Sequence, residues 1–166
     1  LGLGERVVGV TRFCSFPPEA AAKDKIGGYI DTNYEAIASL QPSIIVLLPE
    51  HDEQERRLKE LGTKTLRVDH RHVAGILSSI ATVGTTCGKD RTAGEIVSDI
   101  RKRMDGIRGR VRDARRPTVL ISLGPNTGGE ILHDGIRTFA RGGLFDELLS
   151  LAGGENAYAG GNPEFP

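Results

Sequence analysis

The sequence predicts an α/β fold in which two strand-and-helix units flank one long helix, with the second unit only begun within the chain. Three observations predict it. Apolar runs and amphipathic stretches alternate along residues 7–83 with short links, the pattern of parallel strands joined by helical crossovers. Residues 43–48 are apolar without period-two alternation, as in a strand covered on both faces. Residues 89–112 contain no proline, and Ala93, Ile96, Val97, Ile100, Met104, Ile107 and Val111 recur there at spacings of three and four. That spacing predicts a single helix of about 35 Å.

The elements follow in chain order. The β-branched run at residues 7–11 reads as a buried strand. Residues 12–18 form a loop, because Pro17-Pro18 blocks regular pairing. Residues 18–23 open on proline as a helical turn, and Gly27-Gly28 permits a tight turn. Thr32-Asn33 offers an N-cap to a helix at 34–40, in which Ile37 and Leu40 share a face and which Pro42 stops. After the strand at 43–48, residues 52–61 form a charged helix, with Leu58 and Leu61 on one side and Gly62 at its end. Residues 65–69 are the next strand. Residues 72–83 are a helix with Val73, Ile76, Leu77 and Ile80 on one stripe. Gly106 and Gly109 weaken the long helix near its end, and Pro117 closes it. Residues 118–123 read as another buried strand. Gly142-Gly143 precedes a helix at 144–152 that Gly153-Gly154 stops. The expected organisation is an N-terminal α/β lobe at 1–88, a linking helix at 89–113 and the start of a C-terminal α/β lobe at 114–166.

Composition narrows the function classes. Lys+Arg and Asp+Glu are both 22, which argues against nucleic acid as the main partner, since phosphate binding shows as a basic surplus. No apolar run approaches the roughly 20 residues of a membrane span. Both ends read as cut, so a missing leader does not argue for the cytoplasm. Cys14 and Cys87 stand far apart in no metal-type spacing, which leaves a disulfide, two free thiols or one reactive thiol open.

Residues 8–20, VGVTRFCSFPPEA, resemble the GVT-x-x-C-x-[YF]-P-P-E-A stretch of the cobalamin- and siderophore-type periplasmic binding proteins. Gly27-Gly28-Tyr29, followed by Asn33, Glu35, Ile37, Leu40 and Pro42, resembles their GGY-x-x-x-N-x-E-x-I-x-x-L-x-P segment. Gly153-Gly154-Glu155-Asn156 resembles a GGEN signature of their second lobe. One departure is Ser43, where relatives usually carry Asp. The resemblance implies two Rossmann-like lobes joined by one long backbone helix, with a first strand and helix expected before Leu1 and the rest of the second lobe beyond Pro166. It also implies the activity. The chain is expected to be the extracytoplasmic, periplasmic substrate-binding component of an ABC importer, which captures a metal chelate, cobalamin or a ferric siderophore, in the interlobe cleft and hands it to a membrane permease. No catalytic residue, intrinsic cofactor or resident metal is expected. The alternative is a chelatase-like enzyme acting on a tetrapyrrole or metal, since fold does not fix function.

Ligands of open α/β sheets bind outside the carboxyl ends of the strands, so the loops there supply the candidates. Arg12 presents a planar fork to carboxylate or catecholate oxygens. Phe13, Phe16 and Tyr29 offer surface for a large planar ligand, although the lobe core competes for Phe16. Cys14, Pro49, His51, His70, Arg71, Pro125 and Asn126 complete the expected ligand-binding set. Cys14 reads more readily as a small buried residue at the lobe edge. His51, His70 and His72 invite a metal reading, but Arg71 between the last two repels a cation, so no metal ligand is assigned. The loop at 124–129 resembles a phosphate cradle only faintly, because it lacks the Lys-Ser/Thr pair. Asp52 and Glu53 are the expected permease-docking residues, against the plainer reading that carboxylates favour a helix N-terminus.

Overall fold

The structure, a computed structural model, describes residues 1–124, 130–132, 136–139 and 141–158. It forms two units, Leu1–Val68 and Asp69–Pro166. In the first, a 3-10 turn at Gly4–Arg6 leads to β1 (Gly9–Val10), α1 (Pro18–Ala21), β2 (Asp24–Lys25), α2 (Tyr34–Leu40), β3 (Ile45–Leu47), α3 (Asp52–Glu60) and β4 (Thr65–Arg67). β1 runs parallel to β2, with Gly9 opposite Asp24 and Val10 opposite Lys25. β3 runs parallel to β4, with Ile45 opposite Thr65. The parallel arrangement that the strand–helix alternation predicts is therefore present. Asn33 caps α2 as expected: its side-chain oxygen accepts the Ala36 N–H at 2.9 Å. Gln41, with φ 46°, turns the chain out of the helix. Ile37, Ile45 and Leu58 form the core of this unit, with Ile26, Tyr34 and Leu47 packed against it.

The second unit contains α4 (Val73–Thr86), α5 (Asp90–Val111), β5 (Thr118–Val119), β6 (Ser122–Gly124), β7 (Glu130–Leu132), β8 (Ile136–Thr138), α6 (Leu144–Leu151) and β9 (Glu155–Asn156). The long helix is continuous through Gly106 and Gly109, because two glycines lower its propensity without removing a backbone donor. α4 and α5 approach closely at Gly84, where a Cβ would overlap the Ala93 side chain. Ala93 is 1% exposed in consequence. At the other end of α5, the Val111 side chain fills the space beside Gly153, 2.9 Å from where a Cβ there would lie. β5 pairs in parallel with β9, and β6, β8 and β7 form an antiparallel sheet in that order. No described helix is long and apolar enough to cross a membrane.

Several expectations need correction. The strand expected at 7–11 shrinks to Gly9–Val10, and Val7 and Val8 are 38% and 44% exposed. The strand at 43–48, expected to be covered on both faces, shows Ile45 at 8% and Val46 at 50% exposure. The expected strand at 118–123 divides around Leu120, 45% exposed, into β5 and β6, which join different sheets. For the strand at 43–48 the reason is physical: it pairs with β4 alone, and Val46 points to the face that the core does not cover, so apolar composition marks the strand and not its burial. Leu61, expected to share the buried face of its helix with Leu58, is the C-cap and 59% exposed.

Leu58 is 1% exposed at the centre of the first unit's core. Leu58→Ala should cost roughly 2–5 kcal/mol, by lost burial plus the residual cavity. Urea denaturation measures this, and a cost of roughly 1 kcal/mol or less would show that α3 is not anchored through this side chain.

Candidate functional site

The first unit places three loops at the carboxyl ends of β1, β2 and β3, and hydrogen bonds tie them together. The Arg12 N–H donates to the Gly27 carbonyl at 2.9 Å, which joins the loop after β1 to the loop after β2. Gly27 has φ 103°, and a Cβ there would run into the backbone of Asp31 to Asn33, so a side chain would open this turn. The Arg12 guanidinium pairs with the Asp31 carboxylate across the same junction, with the two side chains about half exposed. This pairing holds the Asp31 carboxyl below its usual range. The guanidinium also lies 5.9 Å from the centroid of the Phe13 ring.

The third loop joins through Tyr29. Its hydroxyl donates to Glu50 Oε1 at 2.8 Å, and its ring meets the His51 ring at 4.6 Å between centroids. Burial, the hydrogen bond to Glu50 and the nearby negative charge push the Tyr29 phenol up to about 12, so it stays a neutral donor. His51 Nδ1 is buried and has no hydrogen-bond partner among the described residues. Four apolar side chains stand exposed on the first two loops: Phe13 at 71%, Phe16 at 88%, Tyr29 at 49% and Ile30 at 84%. Phe16 therefore lies on the surface and not in the lobe core. Beside the Arg12–Asp31 pair lies an open hollow of about 700 Å³, lined also by Lys25, Asn33, Tyr34 and Glu35.

The remaining expected residues fall into other roles. Cys14 is half buried, with its sulfur 3.3 Å from the Thr11 hydroxyl, and neither it nor Cys87 is in a disulfide. The Pro49 carbonyl accepts from Arg67 at 3.2 Å. Asp52 also pairs with Arg67, and Glu53 pairs with Arg57 at 2.6 Å one helical turn on. Both carboxylates remain exposed, at 80% and 62%. In the second unit His70 is exposed. Arg71 folds back on Asp69 through its own backbone N–H at 2.9 Å and its guanidinium at 2.6 Å, which holds the Asp69 carboxyl at about 2. His72 Nδ1 lies 3.0 Å from Glu147 Oε1, and the other oxygen of Glu147 accepts the Val73 N–H at 2.8 Å. Glu147 thus caps α4 from α6. Pro125 and Asn126 lie outside the described residues. Among the described residues, no three of His, Cys, Asp and Glu gather to hold a metal ion.

The residues that sequence reasoning did not single out are Asp31, Glu55 and Arg67. Glu55 is 8% exposed and accepts from Thr65 at 2.8 Å, Arg67 at 2.7 Å and Lys59 at 2.9 Å. It pins α3 to β4. Its signal was present in the sequence, as an acidic residue one turn before Leu58 on the buried side of a charged helix.

The profile of the periplasmic binding protein family matches residues 1–165. The chain is 26% identical to an uncharacterised ABC transporter substrate-binding lipoprotein of Bacillus subtilis, over 96% of this chain and 51% of that protein. It is 22% identical to a vitamin B12-binding protein of Vibrio cholerae, over 99% of this chain and 58% of that protein. Among solved structures it resembles a periplasmic heme-binding protein from Roseiflexus sp. RS-1, with a TM-score of 0.80 at 23% identity over 99% of this chain and 63% of that one. It resembles the periplasmic vitamin B12 binding protein of Vibrio cholerae with a TM-score of 0.78 at 22% identity, over 99% and 62%. The chain spans between 51% and 58% of the length of these curated relatives. The structural likenesses establish the α/β fold.

The Glu55 network predicts a pH dependence. Hydrogen bonds from Arg67, Lys59 and Thr65 lower the Glu55 carboxyl from its ordinary 4.5 to about 2. A carboxyl lowered on folding stabilises fully above the unfolded value, and loses that contribution as pH falls from 4.5 towards 2. Thermal melts across this range should show the acid limb flattened in Glu55→Gln. An acid limb as steep as in the unmutated protein would remove Glu55 from the account.

Proposed function

The chain belongs to the periplasmic binding protein family, and we propose that it is the ligand-capturing part of an extracytoplasmic substrate-binding protein. It serves an ABC importer, and its cargo is a metal chelate of the cobalamin, haem or siderophore kind. The observation that carries the reading is the set of exposed apolar side chains on the strand-end loops of the first unit: Phe13, Phe16, Tyr29 and Ile30. Large apolar side chains left exposed on hydrogen-bonded neighbouring loops, with polar anchors among them, are what a binding surface offers. Here the anchors are Arg12 and the Tyr29–Glu50 pair. The names of the relatives, vitamin B12-binding and heme-binding, support a large flat chelate as ligand. A ring system of that size buries enough apolar area on two or three side chains to bind tightly. No observation favours the chelatase-like alternative, which needs a convergent acid/base or ligand set.

In this reading Arg12, Phe13, Tyr29 and His51 contact the chelate, with Cys14 and Pro49 shaping the loops that carry them. His70, Arg71, Pro125 and Asn126 remain proposed contacts. The lobe boundaries at residues 88 and 113 are proposed on the same footing. Asp52 and Glu53, exposed on the first turn of α3, are the proposed contacts to basic groups of the permease.

Absorbance titration of the protein with hemin, cyanocobalamin and ferrichrome should show saturable one-to-one binding of at least one of them. Phe13→Ala and Tyr29→Ala should each weaken that binding about tenfold, the equivalent of one ring left uncovered. Saturation by none of the three, or alanine variants that bind as tightly as the unmutated protein, would overturn the reading. Asp52→Lys and Glu53→Lys together should lower chelate uptake through the cognate permease by more than they lower chelate affinity. Uptake that tracks affinity alone would remove the docking role.

A further inference from the structure

We infer that the Arg12–Asp31 ion pair is a placeholder: a carboxylate on the incoming chelate takes the position of Asp31 on the Arg12 guanidinium, so that this site favours carboxylate-bearing chelates over neutral ones. The inference deepens the proposed capture of a metal chelate and rests on that reading.

Arg12 meets Asp31 through Nη2, while Nε and Nη1 have no partner among the described residues. A guanidinium carries a fork matched to both oxygens of one carboxylate, and Asp31 satisfies it only in part. The pair is about half exposed on both sides, so water and salt screen it and it contributes little in the free protein. The same charge interaction strengthens once an apolar body covers it, because the local dielectric falls. The Phe13 ring beside the guanidinium, exposed at 71%, is placed to meet that apolar body.

The surroundings favour an exchange of partners. The Asp31 carbonyl accepts the Gly28 N–H at 3.3 Å and so keeps the turn closed when the carboxylate, which backbone N–H groups of Asp31 and Gly28 also support, turns away from Arg12. Gly28 is buried beneath the pair, and a Cβ there would lie 3.4 Å from Arg12 Cζ. Both groups thus rest on bare backbone. The adjoining hollow of about 700 Å³ gives the displaced side chain and an incoming carboxylate room, and Lys25 on its wall adds positive charge while Glu35 opposes it.

Hemin, with two propionates, and cyanocobalamin, with an amide periphery, differ in the carboxylates they present, and the change of their affinity ratio between variants cancels their fixed difference in size. Dissociation constants for both are measured on the unmutated protein, Arg12→Gln and Asp31→Asn, in low and high salt, with thermal melts to confirm folding. In Arg12→Gln the ratio of hemin to cyanocobalamin affinity should fall about tenfold, and the salt dependence of hemin binding should shrink. In Asp31→Asn the ratio should rise, because the competing carboxylate is gone. An unchanged ratio in Arg12→Gln, or a ratio that falls in Asp31→Asn as it does in Arg12→Gln, would overturn the placeholder while leaving chelate capture in place. An unmutated protein that binds neither probe would overturn the placeholder, and chelate capture with it where ferrichrome also fails to bind.

Discussion

Parallel pairing of β1 with β2 is the constraint from which the candidate site follows. Two parallel strands end on the same side of their ladder, so the loops that leave them are neighbours however far apart they are in sequence. Here the register sets Val10 against Lys25. The next residues are then close enough for the Arg12 N–H to reach the Gly27 carbonyl and for the Arg12 side chain to reach Asp31. A register shifted by one residue would turn every side chain to the opposite face, and Arg12 would leave Asp31 and Phe13 behind. The parallel pair β3–β4 repeats the logic. Its end delivers Glu50 and His51 to Tyr29, and Arg67 to Asp52, Glu55 and the Pro49 carbonyl.

The second unit is organised by a helix. α5 is long enough to be packed by different partners at its two ends: α4 through Gly84 and Ala93 near its start, and the turn at Gly153 beside Val111 at its finish. Close approach at both ends requires residues with little or no side chain, and the sequence places glycine or alanine there. Glu147 adds a polar tie by capping α4 from α6 and pairing with His72. These contacts explain why the helix persists through Gly106 and Gly109, since tertiary packing outweighs a local loss of propensity.

The helices and their order were legible in the sequence because amphipathic period and capping residues act locally. Asn33, Pro42, Gly62 and the spacing from Ala93 to Val111 all mark what the structure contains. The strands were legible in position but not in burial, because Val46 and Leu120 are apolar for reasons that composition cannot tie to a covered face. β2 is Asp24-Lys25 and carries no apolar signal at all, so the ladder that positions Arg12 was invisible. For the same reason Asp31 was missed, since its role arises from a contact between two loops. Arg12, Phe13 and His51 were legible as loop residues at strand ends, and Tyr29 as an aromatic residue beside two glycines. That His72 belongs to a helix cap was open at that stage, and only the partner from α6 decides it.

Hydrogen–deuterium exchange of the protein with and without a saturating chelate tests the central claim most directly, namely that the cargo is held by the linked loops at the ends of β1, β2 and β3. The account predicts slowed exchange at residues 11–17, 27–33 and 49–51 together, because a ligand that covers one of these hydrogen-bonded loops restrains the others. Protection that leaves all three unchanged while a chelate is bound would place the cargo elsewhere and contradict the account.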